Sequence, residues 1–127
     1  VASIGAEPTM IHADRDKVQQ ILLNLLSNAT KFTARGGRVT LGWEPESQTV
    51  AITVHDTGVG IPAERLEAVF EPFVQLGSDR TTVGQGTGLG LAISRELARS
   101  MGGELTAVSE VGVGSIFTLS LPRAMAA

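Results

Sequence analysis

Hydrophobic positions near the start of the chain recur every three or four residues, as on one face of a helix. The apolar residues of this stretch are Val18, Ile21, Leu22, Leu25, Leu26, Ala29 and Phe32. Asp14 or Asp16 can cap the helix, because a carboxylate accepts hydrogen bonds from the free amides of a first turn. The pattern therefore predicts a helix from Asp14 to Phe32, ended by the pair Gly36-Gly37.

Alternating apolar and polar positions predict two hairpins further along the chain. The four predicted strands are 39–43, 50–54, 104–108 and 115–121. A polar turn at 46–48 separates the first two strands, and Gly112 and Gly114 lie in the turn between the last two. We also expect a short edge strand at Met10–His12.

Two shorter helices are predicted between the hairpins. Pro62 suits the first turn of a helix that continues to Phe70. Apolar spacing predicts another helix over 89–101, stopped by Gly102-Gly103. The intervening stretch 71–88 has no periodicity, and a loop of that length in a compact domain is typical of a lid or binding loop.

The order helix, hairpin, helix, lid, helix, hairpin predicts the fold class. We expect an α/β (α+β) two-layer sandwich with a mixed, largely antiparallel sheet of about five strands and three helices on one face. The 127 residues suffice for one domain with its own core. We place that domain at 10–123, after a linker at 1–9 and before a tail at 124–127.

Composition excludes several function classes. The chain has no Cys, which removes disulfides, thiolate metal sites and a thiol nucleophile. The formal net charge of -3 disfavours a globally basic nucleic-acid binder. No apolar run approaches the ~20 residues of a membrane span, and no secretory signal opens the chain. We therefore expect no nucleic-acid partner and no membrane contact by this domain.

One edge of the first predicted helix carries Asn24, Asn28 and Lys31. At about 100° per residue these three side chains form a narrow strip beside the apolar face. Amide oxygens suit Mg²⁺, which takes its remaining ligands from water and phosphate, and a Lys one turn further favours phosphate charge. By itself the strip is more typical of a solvated helix face. Two Asn one turn apart nevertheless lower helix propensity, which favours a function.

An aspartate stands at the end of the second predicted strand, in Asp56-Thr57-Gly58-Val59-Gly60. Its carboxylate can accept a hydrogen bond from an exocyclic amine such as that of adenine, and the glycines let the backbone approach a flat ring. Taken alone, the segment is more typical of a strand-to-helix turn, where Asp and Gly are common.

Alternating glycines open the last predicted helix, in the segment 84–91 with the sequence GQGTGLGL. Free amides and the positive dipole end of a helix favour a polyphosphate. The segment is not a P-loop, since no Lys-Ser/Thr follows, and the spacing and the missing strand before it do not fit a dinucleotide fingerprint. A flexible loop without a ligand is the alternative, although so many glycines cost entropy without structural return.

These segments stand in one order along the chain. They are Asn24…Asn28-Ala29-x-Lys31-Phe32, Asp56-x-Gly58-x-Gly60, Phe70-Glu71-Pro72-Phe73, Gly86-Thr87-Gly88-Leu89-Gly90-Leu91 and Gly114-Ser115-x-Phe117. In order and spacing they resemble the catalytic ATP-binding domain of sensor histidine kinases, from the superfamily shared with gyrase and heat-shock ATPases. The resemblance covers about residues 10–122. It implies a two-component kinase domain that binds ATP and Mg²⁺ under a long ATP lid.

The resemblance implies that Asn28 ligates Mg²⁺, that Asn24 supports it and that Lys31 contacts phosphate. It also implies phosphate contacts from the lid and the glycine-rich loop. Those residues are Arg80, Gly86, Thr87, Gly88, Leu89 and Gly90.

For the base, the resemblance implies that Asp56 binds the adenine amino group and that Ser115 holds a water beside it. Gly58 and Gly60 would make room for the ring, and Ile61 is counted with the same pocket. Phe70 and Phe73 would anchor the near end of the lid.

Relatives that hydrolyse ATP place a Glu general base one helical turn before the Mg²⁺-binding Asn. Asn24 occupies that place here, and an amide cannot take up a proton at neutral pH. The resemblance therefore implies a site that keeps the γ-phosphoryl group for an incoming nucleophile, by positioning and charge neutralisation.

The phosphoaccepting His of the family lies on a separate dimerisation domain, and we assign neither His12 nor His55 to that role. We expect such a domain of the same protein as partner, a response regulator receiver domain as indirect partner, and a cytoplasmic location. Three alternatives remain open: a clamp-type ATPase, against which Asn24 counts; a nucleotide-binding regulatory module without kinase activity; and an anti-sigma-type kinase acting on Ser.

Overall fold

The computed structural model describes residues 2–5, 14–34, 36–71 and 90–123, with the first of these ranges described as backbone. The described strands are β1 (Ala2–Gly5), β2 (Val39–Pro45), β3 (Thr49–Asp56), β4 (Glu104–Glu110) and β5 (Gly114–Pro122). The described α-helices are α1 (Arg15–Phe32) and α2 (Gly90–Ser100). Two single-turn 3₁₀ helices, Ala63–Arg65 and Ala68–Phe70, follow β3.

The five strands form one sheet in the order β1-β2-β3-β5-β4. β1 is parallel to β2, and the other neighbours are antiparallel. This mixed, largely antiparallel sheet, with helices packed on it, confirms the predicted fold class.

The core lies between the sheet and the two helices. Alternate residues of β3 point to this side because successive side chains of a strand face opposite ways. Val50, Ile52 and Val54 are buried there beside their β5 partners Leu121, Leu119 and Phe117. The helices cover them with a buried stripe made of Ile21, Leu25 and Ala29 from α1 and Leu91 and Ala98 from α2.

The start of α1 confirms the predicted cap. Asp14 precedes the helix in an extended conformation, and its Oδ1 accepts hydrogen bonds from the backbone amides of Asp16 (2.9 Å) and Lys17 (3.2 Å). These bonds satisfy two of the amides that a first turn leaves free. The helix ends at Phe32, as the spacing predicts.

The helix predicted from Pro62 to Phe70 is wrong as a continuous α-helix. The structure has two 3₁₀ turns there, closed by bonds from the amide of Arg65 to the carbonyl of Pro62 (2.9 Å) and from Phe70 to Glu67 (3.2 Å). A 3₁₀ turn needs only i to i+3 bonds and suits short pieces. The buried pair Val69 and Phe70 fixes the segment by packing.

The stretch 1–9, predicted as a linker, contains β1. Four residue pairs, from Ala2 opposite Thr40 to Gly5 opposite Trp43, join it to β2. Pairing of this kind uses main-chain groups, which a pattern of side chains does not report. The predicted edge strand at 10–12 lies outside the described residues. Within the described ranges, no helix is long and apolar enough to span a membrane.

Candidate functional site

Asp56 and Ser115 form a polar pair at one end of an otherwise apolar inner sheet face. They are direct partners in the register of β3 and β5, and each is only 5% exposed. The Oδ1 atom of Asp56 accepts a hydrogen bond from the amide of Gly58 at 2.8 Å. This local bond holds the carboxylate at the strand end, where it remains an acceptor.

Gly58 and Gly60 are both surrounded by protein backbone. A Cβ on Gly58 would collide with the carbonyl oxygen of Phe32 and lie 2.8 Å from Asp56 Oδ1. Gly60 has φ +79°, and a Cβ there would collide with the main chain of Glu110. The packing of the chain against itself therefore requires both glycines, independently of any bound ring.

The loop after Asp56 is bound to two other parts of the site. The amide of Val59 donates to the carbonyl of Phe32 at 3.3 Å, which joins the loop to the end of α1. The carbonyl of Val59 accepts from the amide of Gly112 at 2.9 Å, which joins it to the turn between β4 and β5. The helix that carries Asn28 and Lys31 is thereby held to the strand end that carries Asp56.

Ser109 lies at the centre of a small hydrogen-bond network beside Ser115. Its Oγ accepts from the amide of Ile61 (2.7 Å), donates to the carbonyl of Gly114 (2.9 Å) and lies 2.7 Å from Ser115 Oγ. Ser109 is not among the site residues predicted from the sequence. Its signal was the predicted hairpin itself, since 109 and 115 are equally distant from the turn residue Gly112 and are partners in the β4–β5 register.

The amide side chain of Asn24 joins the two helices. Its Nδ2 donates to the carbonyl of Gly90 (3.1 Å) and to Ser94 Oγ (3.0 Å), and Ser94 is fully buried. Gly90 is the first residue of α2. Asn24 is predicted from the sequence to support a Mg²⁺ site, and in the structure it hydrogen-bonds the first residue of the helix that follows the glycine-rich segment.

The other two residues of the polar strip differ in exposure. Asn28 is half-buried and Lys31 is exposed near the end of α1. Among the described residues there is no cluster of three or more His, Asp or Glu that could hold a metal. A Mg²⁺ ion that keeps several waters and binds phosphate needs few protein ligands, so the amide oxygen of Asn28 fits this ion.

Phe70 is buried at the end of the second 3₁₀ turn, where it contacts two side chains. Its ring lies edge to face with Phe117, with 6.0 Å between centroids. The guanidinium carbon of Arg95 lies 4.2 Å from the Phe70 centroid, within cation–π range. The segment preceding the predicted lid is therefore anchored to β5 and to α2.

Arg95 also belongs to a surface ion-pair network. Its Nη1 lies 3.2 Å from Glu67 and its Nε lies 3.3 Å from Glu104, which also pairs with Arg99 at 3.2 Å. The hydrogen bond from the amide of Leu105 is the largest cause that lowers the pKa of Glu104, followed by hydrogen bonds from Arg99 and Arg95. The network favours an ionised Glu104 beside α2.

Several predicted site residues lie outside the described part of the chain. They are Phe73, Arg80, Gly86, Thr87, Gly88 and Leu89. The described ones, apart from Phe70 at the end of the second 3₁₀ turn, form two groups on connected elements. Asp56, Gly58, Gly60, Ile61 and Ser115 lie at the strand end, and Asn24, Asn28, Lys31 and Gly90 lie along α1 and the start of α2.

Comparison with solved structures agrees with the fold described above. The chain superposes on full-length ShkA, solved in complex with AMPPNP, with a TM-score of 0.84 and 36% identity, covering 100% of this chain and 26% of that one. It superposes on the mycobacterial sensor histidine kinase MprB with a TM-score of 0.85 and 28% identity, covering 98% and 84% of the two chains.

Sequence relatives are sensor kinases. The chain is 44% identical over 115 residues to the sensor histidine kinase RcsC of Escherichia coli, covering 91% of this chain and 12% of RcsC. It is 40% identical over 114 residues to the sensor histidine kinase WalK of Bacillus subtilis, covering 88% and 19%. The chain thus spans less than a fifth of the length of these two relatives. The family model described as histidine kinase-, DNA gyrase B- and HSP90-like ATPase matches residues 13–125, and the chain belongs to that family, as a domain like the catalytic domains of sensor histidine kinases.

Proposed function

We propose that this domain binds ATP with Mg²⁺ and donates the γ-phosphoryl group to a histidine on a separate dimerisation domain. The observation that carries the proposal is the buried Asp56–Ser115 pair at the strand end, in a chain of this family. A buried carboxylate costs free energy unless it is paired, and the amide of Gly58 bonds to one of its oxygens. The amino group of adenine is the complementary donor for the carboxylate.

The polar strip would serve the triphosphate. In the proposal, the amide oxygen of Asn28 binds Mg²⁺ and Lys31 contacts a phosphate, as do Arg80 and the glycine-rich segment 86–90. Bound Mg²⁺ would neutralise charge on the phosphate oxygens. The exposed position of Lys31 supports this role, because its long side chain can turn towards a phosphate without loss of core packing.

Two observations support transfer to a nucleophile outside this domain. Asn24 has no basic atom to activate water, and its Nδ2 is bonded to Gly90 and Ser94. His55 is exposed and faces the opposite side of β3 from its neighbour Asp56, so it does not face the proposed base pocket. We therefore propose a dimerisation domain of the same protein as phosphoacceptor. As further parts of the proposal, a receiver domain is the later acceptor of the phosphoryl group, and the cytoplasm is the compartment.

Nucleotide titration tests the binding step. We expect Asp56→Asn to weaken ATP·Mg²⁺ binding about 10- to 100-fold, since a hydrogen bond to a charged group contributes about 1.5–3 kcal/mol. His55→Asn is the matched control, because it changes the adjacent exposed residue on the other sheet face, and it should leave the affinity unchanged. Equal affinities for wild type and Asp56→Asn would contradict the assignment of Asp56.

Phosphotransfer is tested by mixing this domain, ATP·Mg²⁺ and histidine-bearing dimerisation domains. We expect acid-labile phosphate on the partner and very slow ATP hydrolysis by the domain alone. ATP binding without any transfer would instead indicate a regulatory nucleotide-binding module. Rapid hydrolysis would indicate a clamp-type ATPase.

A further inference from the structure

We propose that Ser109 is a positioning residue that sets the direction of the hydrogen bonds beside Asp56, so that the base pocket selects a 6-aminopurine over a 6-oxopurine. The inference rests on the proposed nucleotide-binding function. It assigns a role in base specificity to a residue that does not itself belong to the predicted site.

Three contacts surround the Ser109 hydroxyl. The backbone amide of Ile61 lies 2.7 Å from Ser109 Oγ and can only donate. The carbonyl oxygen of Gly114 lies 2.9 Å away and can only accept. The third contact, at 2.7 Å, is with Ser115 Oγ, which can do either.

Only one assignment of protons satisfies all three contacts. A serine hydroxyl has one proton and two lone pairs. If Ser109 donates to the carbonyl of Gly114, it accepts from Ile61 and from Ser115, and every contact contains a proton. If Ser109 donates to Ser115 instead, its oxygen faces the carbonyl oxygen of Gly114 at 2.9 Å with no proton between them. The first assignment is favoured because an unmade hydrogen bond costs free energy.

The consequence is that the hydroxyl proton of Ser115 points at Ser109 Oγ, in a hydrogen bond that Ser115 donates. Its oxygen then has only lone pairs for anything that enters the pocket. Asp56 is its direct partner across the β3–β5 pair, on the same sheet face, where the Cβ atoms of opposed residues are about 4.5–5.5 Å apart. The proposed base pocket would therefore present two hydrogen-bond acceptors side by side.

Two adjacent acceptors discriminate between purines. A 6-amino group supplies N–H donors to them, directly or through a water. A 6-oxopurine presents an acceptor at the same place and a donor at N1. If the Ser115 hydroxyl were free to rotate, it could donate to the 6-oxo group while Asp56 accepted from N1. Ser109 prevents this arrangement because its oxygen accepts the hydrogen bond that the Ser115 hydroxyl would otherwise donate to the base.

The test measures the ratio of the Kd for inosine triphosphate to the Kd for ATP, both with Mg²⁺. In Ser109→Ala the Ser115 hydroxyl loses its acceptor and can donate a hydrogen bond to the base instead. We expect this ratio of Kd values to fall about 2- to 10-fold, which corresponds to the free energy of one hydrogen bond. If Ser109 served stability alone, its replacement would weaken the binding of both nucleotides equally and leave the ratio of Kd values unchanged. An unchanged or increased ratio would overturn the proposal.

Ser115→Ala provides a second test. It keeps the bond that Ser109 accepts from the amide of Ile61 and the bond that it donates to the carbonyl of Gly114. Because Ser115 acts as an acceptor in the proposal, removal of its hydroxyl should weaken the binding of ATP more than that of inosine triphosphate. The ratio of Kd values should therefore fall. A ratio that rises, or does not change, would show that Ser115 donates into the pocket or does not face it, and either result overturns the proposal.

The double variant connects the two tests. Once Ser115 is Ala, adding Ser109→Ala should not change the ratio of Kd values further, because the hydroxyl that Ser109 orients is already absent. Independent, additive effects would contradict the proposal. If the wild-type chain bound neither nucleotide, the proposed function itself would fail, and that result is distinct from tight ATP binding with an unaltered ratio.

Discussion

The bonds of Asn24 to α2 allow a quantitative prediction about stability. Asn24→Ala removes both Nδ2 bonds, to Gly90 at 3.1 Å and to Ser94 at 3.0 Å. At about 0.5–1.5 kcal/mol for each hydrogen bond, the free energy of unfolding should fall by about 1–3 kcal/mol. The upper part of this range is favoured because Ser94 is fully buried, so its hydroxyl has no access to solvent as a replacement partner.

Asn24→Asp separates hydrogen bonding from side-chain size. A carboxylate is nearly isosteric with the amide, but it cannot donate to the carbonyl of Gly90 and would place a negative charge near that oxygen. The buried hydroxyl of Ser94 can turn and donate to it, which recovers only one of the two bonds. Repulsion between the carboxylate and the carbonyl oxygen of Gly90 opposes that gain, so we expect Asn24→Asp to destabilise the chain at least as much as Asn24→Ala, although it creates no cavity.

Urea unfolding at neutral pH measures both variants. The m-value should not change, because the surface exposed on unfolding is the same. Ser27→Ala is the matched control on the same helix, since Ser27 is exposed and its replacement should change stability by less than about 0.5 kcal/mol. If Asn24→Ala were as stable as this control, the hydrogen bonds of Asn24 to Gly90 and Ser94 would not contribute to the free energy of unfolding.

Two further predictions concern the ion pairs and the glycines. The pKa of Glu104 lies below its ordinary value of 4.5, so its contribution to stability is present above that pH and is lost as the pH falls through the lowered pKa. Glu104→Gln should therefore destabilise the chain at pH 7, by less than about 1 kcal/mol because the pair is partly exposed, and urea unfolding in acid should show this difference disappearing. Gly112→Ala should cost about 1–2 kcal/mol for its φ of +83° alone, since nothing lies within 4 Å of the added Cβ. Gly60→Ala should cost more at nearly the same φ, because its Cβ meets the main chain of Glu110, and equal melting temperatures for the two variants would contradict this.

The sequence was most informative where a local pattern has one structural solution. The spacing of apolar residues and the Asp14 cap predicted α1 to within one residue of its start. The alternating strands predicted both hairpins, because a pleated strand with one buried face allows few other patterns. Asp56 was predicted at a strand end, where the structure has it.

Features that depend on distant parts of the chain were not predictable in this way. Two short 3₁₀ turns stand where one helix was predicted, and the second ends at Phe70, whose contact with the distant Phe117 is not encoded in local propensity. Asn24 bonds to Gly90 and Ser94, which lie 66 and 70 positions further along the chain. An amide suited to a ligand site on its own helix thus also serves as a structural bond to α2.

The short strand β1 affects how copies of this domain can meet in solution. β1 pairs with residues 40–43 of β2, and the end of β2 beyond that pairing consists of Glu44 and Pro45. A proline has no amide to donate and a charged side chain opposes close approach, so neither favours the addition of a foreign strand. The opposite border of the sheet, β4, has a glutamate at each end. We therefore expect the end of β2 and both ends of β4 to oppose edge-to-edge strand pairing between copies of this domain.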